Sequence, residues 1–207
     1  DLLGQARNFL TLAGELEGLG RDEDQLAYFR NEREYLNLLL AEQPNGDFAQ
    51  TMVRQWLMDH YHHLLFAALS HSQHKALAAF ALKSLREVKY HLRFSTAWME
   101  RLSLGTAEAH DRTQNGLNEL WRFTAELFEL SNAERTELVD NNIIANIEML
   151  KGSWFENVSK ELQRFELTIP ESGAYRRGAK QGLHTEHLGY VLAEMQSMQR
   201  SYPNMNW

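Results

Sequence analysis

The residues whose types and spacing could bind a metal are acidic side chains and histidines at helical spacing. The most informative of them is His91. It interrupts a mostly small and apolar stripe that repeats every three or four residues, like one face of a helix. The stripe comprises Leu77, Ala81, Ser84, Val88, His91, Ser95, Trp98 and Leu102. Helical bundles that hold two bridged irons carry Glu-x-x-His on such a helix, because residues three apart share a face. Here Val88 stands where that carboxylate is needed.

A full iron-binding set also needs one carboxylate from each of two other helices and a second Glu-x-x-His. The corresponding positions along this chain are Asp1, Glu32, Tyr35, Asp59, Val88 and His91. The two aspartates are one methylene shorter than glutamate, and tyrosine and valine replace an imidazole and a carboxylate. We therefore predict a vestigial site, with no catalytic residue, no bound metal and no cofactor in this chain.

A second register leaves another possibility open. Asp59 and His62 form Asp-x-x-His, and Glu87 and His91 are four residues apart on the next helix. These four side chains could assemble a metal site, which would make the chain an independent metal-dependent oxidase. Against this, histidines crowd the same region at positions 60, 62, 63, 71 and 74, and such clusters are usually partly exposed surface residues.

Composition excludes several functional classes. The 207 residues carry 21 basic and 28 acidic side chains, a formal charge of -7, so no overall field attracts nucleic acid or an anionic membrane. The absence of cysteine excludes disulfides, thiolate zinc sites and cysteine nucleophiles, and it suits a cytoplasmic protein. No apolar run approaches the roughly 20 residues of a membrane-spanning helix.

Hydrophobic periodicity predicts an all-α protein. Four amphipathic helices are expected at about residues 1–18, 22–40, 48–69 and 75–102, joined by short connections that favour antiparallel neighbours. Further helical spacing follows through residues 117–128, 143–165 and 183–199, around a less regular stretch at 132–142. The pattern predicts one four-helix-bundle domain over residues 1–207 with additional C-terminal helices. We expect the natural first helix to begin before Asp1.

The C-terminal part contains a second local signal, His-Thr-Glu-His at residues 184–187. His-x-x-His on a helix can bind zinc, but no third ligand is nearby in the sequence, so a helix start packed on a partner is the preferred interpretation. Predicted partner-binding residues are His184, Glu186, His187 and Trp207. Arg176, Arg177 and Lys180 lie in a glycine-rich loop that could contact phosphates or an acidic partner.

Tryptophans supply a further set of candidate contacts. Trp56, Trp98, Trp121 and Trp207 could include interface anchors, because aromatic side chains concentrate binding energy. The first three also fit the core faces of predicted helices.

Long specific runs of the sequence resemble a known family. They are DLLGQARN (1–8), NLLLAEQPNGD (37–47), YHLRF (90–94), LWRFTAELF (120–128) and GLHTEHLG (182–189). Together they closely resemble the C subunits of bacterial phenylacetyl-CoA epoxidase, a multicomponent ring oxygenase of phenylacetate catabolism. The resemblance covers nearly the whole chain.

The resemblance implies a non-catalytic structural subunit with a ferritin-like fold. In that family a homologous A subunit holds the di-iron centre and epoxidises the ring of the CoA thioester, while the C subunit has lost the metal ligands. Implied partners are this A subunit, another copy of the C subunit within a hetero-oligomer, a further small subunit and a reductase. Neither nucleic acid nor a membrane is an expected partner.

Overall fold

A computed structural model describes residues 1–171, 174–203 and 205. The described residues form helices and connecting turns, with no strand among them. The helices are α1 (Leu2–Glu17), α2 (Glu23–Tyr28), α3 (Leu39–Glu42), α4 (Phe48–Leu69), α5 (Lys75–Ser103), α6 (Ala107–Leu120), α7 (Leu150–Arg164) and α8 (Glu186–Ser201). The prediction of an all-α fold is confirmed, and the arrangement is consistent with a ferritin-like bundle.

Local signals explain the ends of the long helices. Gly18 ends α1 in the left-handed conformation with a φ of 69°, which glycine adopts without strain. The Asp47 side chain begins α4 by accepting a hydrogen bond from the backbone N–H of Gln50. His74 begins α5 in the same way through Leu77. The predicted limits of α1, α4 and α5 are therefore confirmed to within a residue or two.

The central helix of the fold is α4. It packs along α5 and also contacts α6 and α7, while α1 packs on α5, and α2 and α3 contact α8. The main core surrounds the fully buried side chains of Trp56, Leu57, Met99 and Phe165. A smaller core where α4 meets α5 contains Phe66 and residues of the first half of α5.

The predicted second helix, residues 22–40, is wrong. Asp22 and Gln25 form a reciprocal cap that begins α2, but the helix ends at Tyr28. A separate 3₁₀ turn follows at Glu32–Glu34, because the Glu34 side chain accepts a hydrogen bond from the backbone N–H of Asn31. Leu36 is exposed, whereas Leu39 is buried.

Two other predicted helices are shorter than expected. Regular α-helix ends at Leu120, and the 3₁₀ turns Trp121–Phe123 and Ala125–Phe128 continue the chain. The Thr124 hydroxyl donates to the backbone carbonyl of Trp121, which favours the tighter turn. The next helix was expected from residue 143 but begins at Leu150, after a 3₁₀ turn at Ile147–Met149. None of the described helices is both long and apolar enough to cross a membrane.

Candidate functional site

The polar residues nearest to a metal-binding pattern lie where α1 and α4 face α5. Asp1 Oδ2 lies 3.0 Å from His91 Nε2. One turn further along, Gln5 donates a hydrogen bond of 2.7 Å to Glu87. Helix spacing of four residues on α1 and on α5 thus produces two matched cross-helix pairs.

Asp59 is the most enclosed carboxylate of this region. Its side chain points from α4 towards α5, and the residue is only 1% exposed. One carboxyl oxygen accepts from Gln55 at 2.6 Å and the other from Ser95 at 2.8 Å. Burial raises the pKa of Asp59, although the hydrogen bonds from Ser95 and Gln55 and the nearby His91 oppose that rise. Both oxygens are therefore already engaged by protein side chains that are not iron ligands.

His62 lies one turn beyond Asp59, is half-buried and contacts two aromatic rings, those of Tyr61 and Phe66. Its ring stacks on Phe66 with the ring centres 5.6 Å apart. Desolvation, together with the charge of His91, lowers the pKa of His62 to about 4. His62 is therefore neutral at neutral pH, and His91 is close enough to affect both His62 and Asp59.

The remaining predicted positions lie in different surroundings. Val88 is fully buried in the smaller apolar core. Glu32 is exposed on its 3₁₀ turn. The Tyr35 hydroxyl donates to the backbone carbonyl of Ala27, and its ring packs against α8. Over residues 1–171, 174–203 and 205, no group of three or more acidic or histidine side chains is arranged to hold a metal. These side chains do not present the ligand set of a di-iron centre.

Sequence reasoning missed a second polar cluster, which is centred on the half-buried Glu161 of α7. A single carboxyl oxygen of Glu161 lies 2.9 Å from Trp56 Nε1, 3.2 Å from His60 Nε2 and 3.2 Å from the Thr96 hydroxyl. Desolvation opposes ionisation, but the hydrogen bonds from His60 and Trp56 outweigh it, so the pKa of Glu161 is lowered. This ionised carboxylate joins α7 to α4 and α5. Its sequence position gave no signal, because a helical glutamate normally faces solvent.

The C-terminal candidates divide into an internal and a surface group. His184 Nδ1 lies 2.6 Å from Glu42 Oε1, and both side chains are fully buried. The other Glu42 oxygen accepts from the backbone N–H and the hydroxyl of Thr185. Because its side chain is enclosed, His184 holds the start of α8 to the rest of the chain.

The surface group comprises Glu186 and His187. Both line a groove of about 470 Å³ next to Arg122, Arg176 and Arg177. Arg177 pairs with Glu129 at 2.7 Å. Lys180, the third basic residue of the glycine-rich loop, pairs with Glu134 at 2.6 Å.

Tryptophan environments also differ. Trp56 and Trp121 belong to the main core, and Trp98 is only partly buried at its edge. Trp207 lies outside the described residues. Of the tryptophans that the structure describes, Trp98 is therefore the candidate that a partner could still reach.

Comparison with known proteins agrees with the fold and with the motifs. The family model for "Phenylacetic acid catabolic protein" matches residues 1–207. The chain is 48% identical over 207 residues to the C subunit of 1,2-phenylacetyl-CoA epoxidase from Escherichia coli (strain K12). That alignment covers 100% of this chain and 83% of the relative. The chain therefore belongs to the phenylacetic acid catabolic protein family.

Proposed function

We propose that this chain is a non-catalytic structural subunit of a phenylacetyl-CoA epoxidase, in which it binds and stabilises a catalytic A subunit. The di-iron centre belongs to that A subunit, and this chain holds no cofactor. The complex works in the cytoplasm with a further small subunit and a reductase, and two copies of this chain meet within it. The proposal is supported by the similarity to a C subunit of such an epoxidase.

The observation that carries the proposal is the way in which the buried carboxyl group of Asp59 is hydrogen-bonded. A bridging iron ligand must offer free carboxylate oxygens to the metal, but both Asp59 oxygens accept hydrogen bonds from Gln55 and Ser95. Burial also raises the pKa of its carboxyl group, which opposes the ionised form that an iron ligand needs. In our proposal the former ligand position is now part of the packing between α4 and α5.

A structural subunit needs a rigid body, and two carboxylates, the half-buried Glu161 and the buried Glu126, supply rigidity here. Glu161 joins three helices. Glu126 accepts from the backbone N–H of Leu39 at 2.5 Å and from that of Ala179 at 3.4 Å, which joins the start of α3 to the loop before α8. Such buried and satisfied polar groups fix one packing arrangement. The A subunit would gain stability from a neighbour of this kind.

The test is to reconstitute epoxidase activity with variants of the unused ligand positions. Asp59→Asn keeps the shape of the buried group but removes its acidic function, and His91→Gln removes an imidazole. We expect the double variant to bind the A subunit and to support epoxidation of phenylacetyl-CoA within about twofold of the wild type. A loss above about tenfold, with the complex and the iron content of the A subunit intact, contradicts the proposal.

A second candidate function is an independent metal-dependent oxidase that uses Asp59, His62, Glu87 and His91. The observation in its favour is that Asp59 accepts a hydrogen bond from Ser95, which lies one turn after His91 on α5. On this alternative, the same double variant abolishes an activity that the chain shows without the A subunit.

A further inference from the structure

The outward side of α5 carries an unusual surface, which we call the α5 outer face. It consists of the exposed side chains of Arg86, Lys89, Tyr90, Arg93, Phe94 and Arg101. The helix is 29 residues long, which corresponds to about 44 Å at 1.5 Å per residue. Its opposite side packs on α4, and α1 contacts one flank.

Aromatic side chains form a continuous ladder on this face. The ring centres of Tyr90 and Phe94 are 6.5 Å apart, those of Phe94 and Trp98 are 6.4 Å apart, and Trp98 meets Phe48 edge-on at 5.0 Å. Tyr90 is 55% exposed, Phe94 45% and Phe48 49%. Contiguous exposed aromatic groups are typical of binding surfaces, where tyrosine and tryptophan concentrate the binding energy.

Positive charge surrounds the ladder. Arg86, Lys89, Arg93 and Arg101 are exposed, and none forms an ion pair with a carboxylate of the described residues. This concentration of cations stands out on a chain whose formal charge is -7. An arrangement of unpaired cations beside aromatic groups selects a partner surface that is both acidic and apolar.

A groove between α5 and α7 extends the face and provides a place for an acidic side chain. It has a volume of about 410 Å³ and is lined in part by Lys89, Arg93, Arg164 and His63. His63 Nδ1 is buried without a hydrogen-bond partner among the described residues. A carboxylate that enters the groove would therefore meet two cations that carry no ion pair, Lys89 and Arg93.

Two carboxylates of the chain itself also line this groove, and neither neutralises those cations. Glu161 is held by the hydrogen bonds from α4 and α5 described above. Glu100 lies 4.0 Å from Arg164, at the end of the groove away from Lys89. The charge that remains available to a partner is therefore positive.

We infer that the α5 outer face and this groove bind the A subunit, and that the matching surface of the A subunit is a helix with acidic and apolar residues. This inference rests on the proposed function and adds the location and chemistry of the contact. Nucleic acid is a poor match, because the chain as a whole carries a formal charge of -7 and repels a phosphate backbone.

The test compares two charge reversals of equal size. The first variant, Lys89→Glu with Arg93→Glu, changes the proposed contact on α5. The control variant, Lys151→Glu with Lys160→Glu, changes two exposed lysines on a different helix, α7. The dissociation constant for purified A subunit is measured for each variant, and thermal unfolding shows that both are folded. We expect the first pair to weaken binding at least about tenfold and the second to change it less than about threefold.

A second variant tests the aromatic ladder without altering charge. Tyr90→Ser with Phe94→Ser is expected to weaken binding at least about tenfold, because truncation of central aromatic side chains removes hot-spot contacts. Both residues are largely exposed, so the isolated chain should keep its stability.

The outcomes separate this inference from the proposed function. If the wild-type chain does not bind the A subunit, the proposed function and the inference both fail. If it binds but neither α5 variant differs from the control, the A subunit uses another surface and only the inference fails. If the α5 variants dissociate a dimer of this chain without changing affinity for the A subunit, the face is a self-contact and the inference is wrong.

Discussion

Replacing Glu42 with alanine tests whether the Glu42 and His184 pair holds the C-terminal helix in place. Four donors converge on the two Glu42 oxygens: His184 Nδ1 at 2.6 Å, Asn37 Nδ2 at 3.0 Å, and the backbone N–H and hydroxyl of Thr185 at 2.9 and 2.8 Å. Glu42→Ala leaves these buried donors without an acceptor. Breaking a buried, hydrogen-bonded pair of this kind costs about 3–5 kcal/mol.

The assay is thermal unfolding followed by circular dichroism. For a chain of this size each kcal/mol shifts the midpoint by about 2–4 °C, so a decrease of about 10 °C is expected. Glu32→Ala, which removes an exposed carboxylate from the preceding 3₁₀ turn, is the control and should change the free energy of unfolding by less than about 0.5 kcal/mol. Glu42→Gln keeps one acceptor oxygen, so its unfolding midpoint should lie between those of Glu42→Ala and Glu32→Ala. Equal midpoints for Glu42→Ala and Glu32→Ala would refute the role of Glu42 in holding the C-terminal helix in place.

Three further predictions concern single residues. Unfolded His62 takes up a proton near pH 6.5, but in the folded chain it resists protonation until about pH 4, the value to which its pKa is lowered. The free energy of unfolding should therefore fall by at most about 3 kcal/mol on acidification through that window. Urea unfolding at pH 7 and pH 4.5 should show a smaller fall in the free energy of unfolding for His62→Gln than for the wild type. Glu161→Ala leaves the buried indole N–H of Trp56 unpaired and should cost about 1–3 kcal/mol in the same assay, whereas Glu161→Gln should cost less; equal losses would contradict the hydrogen-bonding role. Gly182 has a φ of 67°, and a Cβ there would lie 2.4 Å from the backbone oxygen of Arg33. Gly182→Ala should therefore lower the thermal midpoint by several degrees. The control, Gly152→Ala, places its Cβ in open space on α7 and should leave the midpoint unchanged.

Much of the helical framework could be predicted from sequence, because α1, α4 and α5 combine clear periodicity with clear ends. Gly18 and Asp47 are strong end signals, since Gly18 ends α1 and the Asp47 side chain caps the start of α4. The segment after α2 could not be predicted in the same way. Its path depends on Tyr35, which packs on Leu188 and Leu192 of a helix about 150 residues later in the chain, and local propensity carries no information about such a contact.

The candidate site was only partly accessible to sequence reasoning. Spacing alone identified His91 and Asp59 as inward-facing polar residues, and the structure places both against neighbouring helices. The partners that satisfy Asp59 are a serine and a glutamine, residue types that give no distinctive signal. Glu42 and Glu161 were missed for a related reason, since a glutamate within a helix is normally solvent-exposed and its burial depends on distant donors.

The most direct test of the central claim is the iron content of this chain, purified alone from iron-supplemented cells and then in complex with the A subunit. Our account predicts no stoichiometric iron in the isolated chain and two irons per A subunit in the complex, unchanged when Asp59 and His91 are replaced. Near-stoichiometric iron in the isolated chain, lost on Asp59→Asn or His91→Gln, would contradict the account and identify this bundle as a second metal centre.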